Sequence, residues 1–138
     1  ILLTVRQHLL TPLGLRSLSP EDSRFESTYK ENPIEQEAAS KNGAVWVWPL
    51  MFYFECAFAL QGDKFLAKAK EMYEAYDDNI QTYCIGSANP PFAPRGAFSM
   101  AWSVGSLLYI RQLIEKQEAK ATRAAKRSTK NSVKTSKK

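Results

Sequence analysis

The sequence predicts an all-α protein of inner and outer helices, on three observations. Ala44 to Leu60 is apolar on all sides, the pattern of a helix that other elements cover on every face. Beyond Gly62, the residues Phe65, Leu66, Ala69, Met72, Tyr73 and Tyr76 recur at helical spacing, with Lys64, Lys68, Lys70, Glu71 and Glu74 on the other side. That is an amphipathic surface helix. From Ala97 to about Arg111 a third run carries Phe98, Met100, Trp102, Val104, Leu107, Leu108, Tyr109 and Ile110, again apolar enough for an interior layer. The 138 residues suffice for one domain with one core.

Taken in order, residues 1 to 34 contain Pro12, Gly14, Pro20 and Pro33 between polar clusters and read as loop, with a short strand or helix near the start. A short helix is expected from Ile34 to Lys41, stopped by Asn42-Gly43. Ala44 to Leu60 follows as the inner helix. Gly62 breaks the chain and Asp63 is a good N-cap for the outer one, so the two form an αα-hairpin, with Lys70 and Glu74 at i, i+4. Asn79 to Gly96 is a long loop with Gly86, Pro90, Pro91, Pro94 and Gly96, of a length that is often functional. The last helix continues through Leu113 and Ile114 and leaves the core in Glu115-Lys116-Gln117-Glu118-Ala119. Past about Lys126 there is no apolar period, and a disordered tail is expected. The division is a helical body over 1–119 and a basic tail over 120–138.

Composition is that of a globular chain, with 44% hydrophobic, 12% aromatic and 24% charged residues. Two cysteines, Cys56 and Cys84, exclude a disulfide scaffold, and a single histidine, His8, excludes histidine-rich metal chemistry. No Gly-rich phosphate loop is present, so neither cofactor nor metal is expected. The net charge of +5 is unevenly placed. Residues 120 to 138 hold Lys120, Arg123, Lys126, Arg127, Lys130, Lys134, Lys137 and Lys138 with no acid, whereas the body carries 11 basic and 14 acidic residues. No secretory signal is visible. The longest apolar run, Ala44 to Phe54, contains Pro49 and stops at Glu55, short of the roughly 20 residues of a membrane span. An intracellular, cytoplasmic protein without a membrane partner is expected. The chain opens on Ile1 rather than Met, as a fragment or processed product would.

Three blocks stand out: LLTPLGLRSLSPED at Leu9 to Asp22, NGAVWVWPL at Asn42 to Leu50, and NPPFAPRGAFSMAWSVGSLL at Asn89 to Leu108. In order and spacing they resemble the C-terminal part of the glucosidase domain of glycogen debranching enzymes, the amylo-α-1,6-glucosidase family. The resemblance implies an (α/α)6 toroid, in which inner helices surround a funnel and outer helices encircle them, and this chain is long enough for its closing part only. It also implies inverting hydrolysis of the glucose left at an α-1,6 branch. Such a site needs a protonated carboxylic acid and an ionised carboxylate about 6.5–9.5 Å apart, with a water between base and sugar.

The family's general acid lies upstream of this region, and its general base lies in a loop of the form SEIFDGDPP. Here that loop reads Tyr83-Cys84-Ile85-Gly86-Ser87-Ala88-Asn89-Pro90-Pro91, with Cys84 in the base's place and no Asp or Glu between Asp78 and Glu115. The family's YHQGTVWPW becomes Ser40 to Trp48, with Asn42 for Gln and neither Tyr nor His, and the Gln of its QAWS becomes Met100. Gly43, Val45, Trp46, Trp48, Pro94, Arg95, Gly96, Ala101, Trp102, Ser103 and Val104 match. The packing set persists and the polar sugar-facing set does not.

The resemblance therefore implies no catalytic residue in this chain and a substrate-binding set of Asn42, Trp46, Trp48, Arg95 and Trp102. Core packing is the alternative for the tryptophans, and a structural hydrogen bond for Arg95. Cys84 has no nearby histidine to activate it as a nucleophile, Cys56 is expected in the core between Phe54 and Phe58, and His8 is expected to be structural. The expected function is a catalytically impaired portion of a debranching-type α-1,6-glucosidase that binds branched α-glucan and needs the remainder of the toroid, or a partner, to cover its apolar helices. Two alternatives stay open. One is a structural or interaction subunit whose basic tail contacts nucleic acid or an acidic surface; the other is a competent enzyme whose base comes from elsewhere.

Overall fold

The computed structural model describes residues 1–27, 32–83 and 101–135. They are mostly helical, in the order α1 (Leu2–His8), β1 (Leu10–Thr11), β2 (Gly14–Arg16), α2 (Pro33–Lys41), β3 (Val45–Trp46), α3 (Leu50–Gln61), a 3₁₀ turn (Gly62–Phe65), α4 (Leu66–Tyr83) and α5 (Ala101–Thr135). The first and last parts of the sequence differ most from expectation.

Between α1 and α3 lies a three-stranded antiparallel sheet in the order β1-β2-β3, with Leu10 opposite Leu15, and Leu15 opposite Trp46. The expected helix over Ala44 to Leu60 is therefore two elements. Pro49 is the N-cap of α3, and its carbonyl accepts from the amides of Phe52 and Tyr53 at 3.2 and 3.4 Å. At that position its missing N–H costs nothing, whereas inside a helix the ring would break the ladder. An unbroken apolar run hides such a change, because neither helical nor strand period shows in it. The β1–β2 turn is held by the Thr11 hydroxyl, which donates to the Gly14 carbonyl at 2.9 Å. α2 matches its expected span, with Asn32 accepting from the Ile34 amide at 3.0 Å as N-cap.

One core joins the sheet to the helices. Leu15 and Val47 meet Leu50, Tyr53, Phe54 and Ala57 of α3, Phe65 and Ala69 of the next hairpin arm, and Leu107, Ile110 and Ile114 of α5. Its centre is aromatic: the Phe65 ring lies edge-on to Phe54 at 5.5 Å and to Phe58 at 5.1 Å, the geometry that ring quadrupoles favour. α3 ends at Gly62, whose φ of 54° is cheap for glycine alone. Asp63 does not cap α4; it sits in the 3₁₀ turn, where its carboxylate accepts from Gln117 of α5 at 2.8 Å. Lys70 pairs with Glu118 of α5 rather than with Glu74.

α3 is buried on one stripe only. Cys56, expected in the core, is exposed, because Leu50, Tyr53, Phe54 and Ala57 form the covered face and position 56 falls about 110° round the helix from its centre. α5 shows the same asymmetry, with Leu107 and Ile110 buried and Leu108 57% exposed.

α3 and α5 run parallel. Trp48, Glu55 and Asp63 meet Ser106, Tyr109 and Gln117 in rising order along both segments. The disordered tail expected past Lys126 is instead helix to Thr135. Residues 106 to 138 contain neither Gly nor Pro and include Ala119, Ala121, Ala124 and Ala125, so propensity carries the helix past the point where apolar burial stops.

Candidate functional site

The candidate residues divide between two places. Asn42 is the C-cap of α2, its amide donating to the Ala38 carbonyl at 2.9 Å and its carbonyl accepting from Glu26 at 2.8 Å. Trp46 lies half-buried in β3 with its indole N–H on the Ser40 carbonyl at 3.0 Å. These two are parts of the corner that joins α2 to the sheet. Cys84 and Arg95 lie outside the described residues, as does most of the loop expected over Asn79 to Gly96; its first five residues belong to α4.

Trp48 and Trp102 come together. Each sits at the N-terminal end of one of the two parallel helices, and the buried Ser106 hydroxyl lies 2.6 Å from the Trp102 carbonyl and 3.3 Å from that of Trp48. Trp102 is 60% exposed and Trp48 39%. Neither ring is buried against the described residues. Phe52, 49% exposed, stands edge-on to Trp48 with centroids 6.3 Å apart. Beyond them the Tyr109 hydroxyl donates to the Glu55 carboxylate, and this bond, with some desolvation, raises the Tyr109 pKa above its ordinary value. Between Trp102 and Tyr109, on the same face of α5, Gly105 leaves open space where a side chain would stand.

Glu55, Phe52 and Tyr109 were missed from sequence. A signal existed: Glu55 is the one charged residue from Ala44 to Gly62, and Trp48, Phe52, Glu55 and Ala59 share a helical stripe. Chemically the face offers flat aromatic surfaces beside a carboxylate and a phenol. Aromatic faces suit the C–H faces of pyranose rings, and the two polar groups suit sugar hydroxyls. Among the described residues this face holds a single carboxylate, and no group of three His, Cys, Asp or Glu side chains gathers as a metal site requires.

The comparison with known proteins fits this arrangement. A family model for amylo-alpha-1,6-glucosidase matches residues 1–109. The chain belongs to the amylo-alpha-1,6-glucosidase family. No curated protein and no solved structure matches it. The family match takes in the sheet, the α3–α4 hairpin and the first turns of α5, and stops at Tyr109, ahead of the basic segment. No helix among the described residues is long and apolar enough to cross a membrane.

The first of the three sequence blocks, Leu9 to Asp22, ends in a hydrogen-bonded loop. Asp22 accepts from the Arg24 amide at 2.9 Å and takes the Arg24 guanidinium with both oxygens, each at 3.0 Å. These bonds hold its carboxyl at about 2, below the ordinary 3.8. A depressed folded-state pKa gives a contribution that is complete above the unfolded value and lost as pH falls through the folded one. The loop is therefore expected to stay clasped from neutral pH down to about 4 and to open between about 4 and 2. A carboxyl-carbon NMR titration of Asp22 with its midpoint near an ordinary aspartate value would contradict this.

Proposed function

We propose that this chain is the C-terminal portion of a debranching-type (α/α) toroid that holds branched α-glucan at the N-terminal ends of α3 and α5 without hydrolysing it. One observation carries the reading. The tryptophans of the site stand exposed at the N-terminal ends of α3 and α5, while the stretch from Asn79 to Ile114 contains no carboxylate to activate water. A positioned base is worth about 10²–10⁴-fold in rate. The parallel course of α3 and α5, with α4 between them in sequence, supports the toroid, because a ring of inner–outer hairpins returns to the same end after each pair. Trp48 and Trp102 are the sugar platforms in this reading; Asn42 and Trp46 hold the corner between α2 and the sheet, and Arg95, outside the described residues, is a further glucan-binding residue. Exposed Leu60 and Leu108, at 73% and 57%, are surfaces for the remainder of the ring. We place the protein in the cytoplasm, as the family resemblance implies.

The test uses the longest natural chain containing this segment, with limit dextrin as ligand and substrate. Glucan binding without turnover is expected, with Kd raised at least tenfold in Trp48→Ala and Trp102→Ala, equivalent to about 1.4 kcal/mol each. Cys84→Glu is expected to introduce measurable hydrolysis. Turnover by the unaltered chain would overturn the reading, and so would binding that ignores both tryptophans.

A further inference from the structure

Beyond the family match, α5 carries a second pattern. Positions 116, 120, 123, 127, 130 and 134 are all Lys or Arg and recur at alternating intervals of four and three residues. On a helix this spacing draws one line along the surface, about 27 Å long at 1.5 Å per residue. The body of the protein lets go of the helix along the way: among the residues whose burial is described, Ala121 is the last that is half-buried, and Thr122 to Lys126 are exposed. Glu118, the last acid of the chain, is committed to Lys70 of α4. From Ala119 onward nothing neutralises the line from within its own helix.

The residues between the cations narrow the partner. A helix that docks into a protein groove presents apolar anchors at i, i+3, i+4 and i+7, and one that lies on a membrane presents a broad apolar face. From Ala119 to Thr135 the only apolar residue larger than alanine is Val133. A phosphate backbone asks for neither, since its affinity comes from cations that displace condensed counterions. A helix of ordinary diameter also fits the major groove of a duplex. With no aromatic residue after Tyr109 to stack on unpaired bases, a double-stranded partner is favoured over a single-stranded one.

We propose that the C-terminal half of α5 is a docking surface for the phosphate backbone of a nucleic-acid duplex, read without sequence preference. This is independent of the glucan site, which lies at the opposite end of the helix. The test is fluorescence anisotropy of the full chain on a mixed-sequence 20-base-pair DNA duplex across a salt series. Six phosphate contacts predict a slope of log K against log salt of about −5, and so an affinity loss on the order of 10³-fold between 50 and 200 mM salt. Arg123→Gln with Lys120→Gln is expected to flatten that slope by about two contacts while leaving thermal unfolding unchanged. A variant with the same tail composition but its cations spread around the helix is expected to bind at least tenfold more weakly. Absence of duplex binding at 50 mM salt overturns the proposal. So does equal binding by the redistributed variant, or tighter binding to polyglutamate than to the duplex at matched salt.

Discussion

Phe54→Ala is expected to destabilise the protein by about 3–5 kcal/mol, the range for a large aromatic truncated in a closed core. Phe54 is 1% exposed and stands between α3 and the hairpin arm that follows it, with the rings of Tyr53, Phe65 and Phe58 at 6.3, 5.5 and 6.5 Å. Removing it leaves a cavity bounded by aromatic rings that cannot collapse without moving a helix. A domain has only about 5–15 kcal/mol of stability to lose. Urea unfolding followed by tryptophan fluorescence measures the loss, with Phe52→Ala as the control. That ring is half-exposed on the same helix, so a change below about 1 kcal/mol is expected of it. Equal losses for the two variants would show that the assigned inner face of α3 is wrong.

Gly14→Ala is the second large effect. A Cβ on Gly14 would run into the Trp46 carbonyl oxygen and come within 2.8 Å of the Trp46 carbonyl carbon and of Val45 Cγ1. Two of these are backbone atoms of β3 and have no rotamer to change, so β2 and β3 must separate. The expected cost is about 1–3 kcal/mol, as for other overpacked sites. A specific signature accompanies it. Because Trp46 is held by its indole bond to Ser40, parting the strands releases that indole, and its emission is expected to shift to the red. An unchanged melting temperature with unchanged emission would contradict the close approach.

These two residues also show what the sequence made legible. The stripe of α4 was readable because polar and apolar residues alternate with helical period: Phe65 and Ala69 are buried, Leu66, Met72 and Tyr73 half-buried, and Lys64, Lys68 and Lys70 exposed. α2 was readable from its Asn42-Gly43 stop. The sheet was not, since strands of two or three residues are too short to display a period, and the glycine that lets two of them touch looked like a loop residue. Cys56 was misplaced for a related reason. A helix apolar all round implies cover on every side, but within this chain only one stripe of α3 is covered. The end of α5 was misread in the opposite sense, because lack of an apolar period was taken for lack of helix, when alanine content and freedom from Gly and Pro favour one. Of the candidate site, Trp48 and Trp102 were identifiable from family motifs, whereas the Glu55–Tyr109 contact depends on the parallel packing of two helices 54 residues apart in sequence.

The 35 residues of α5 form one rod of about 52 Å. Its first turns are clamped in the core by Leu107, Ile110 and Ile114, and its far end is free of Gly and Pro. Such an element is a strut and not a tether: it fixes the distance and the angular register between the body and anything gripped at its tip. Each residue added or removed near position 119 would rotate the cationic line by about 100° around the helix axis and shift it about 1.5 Å, outward for an insertion and inward for a deletion. Whatever partner holds that tip thus sets the direction in which the exposed tryptophans face.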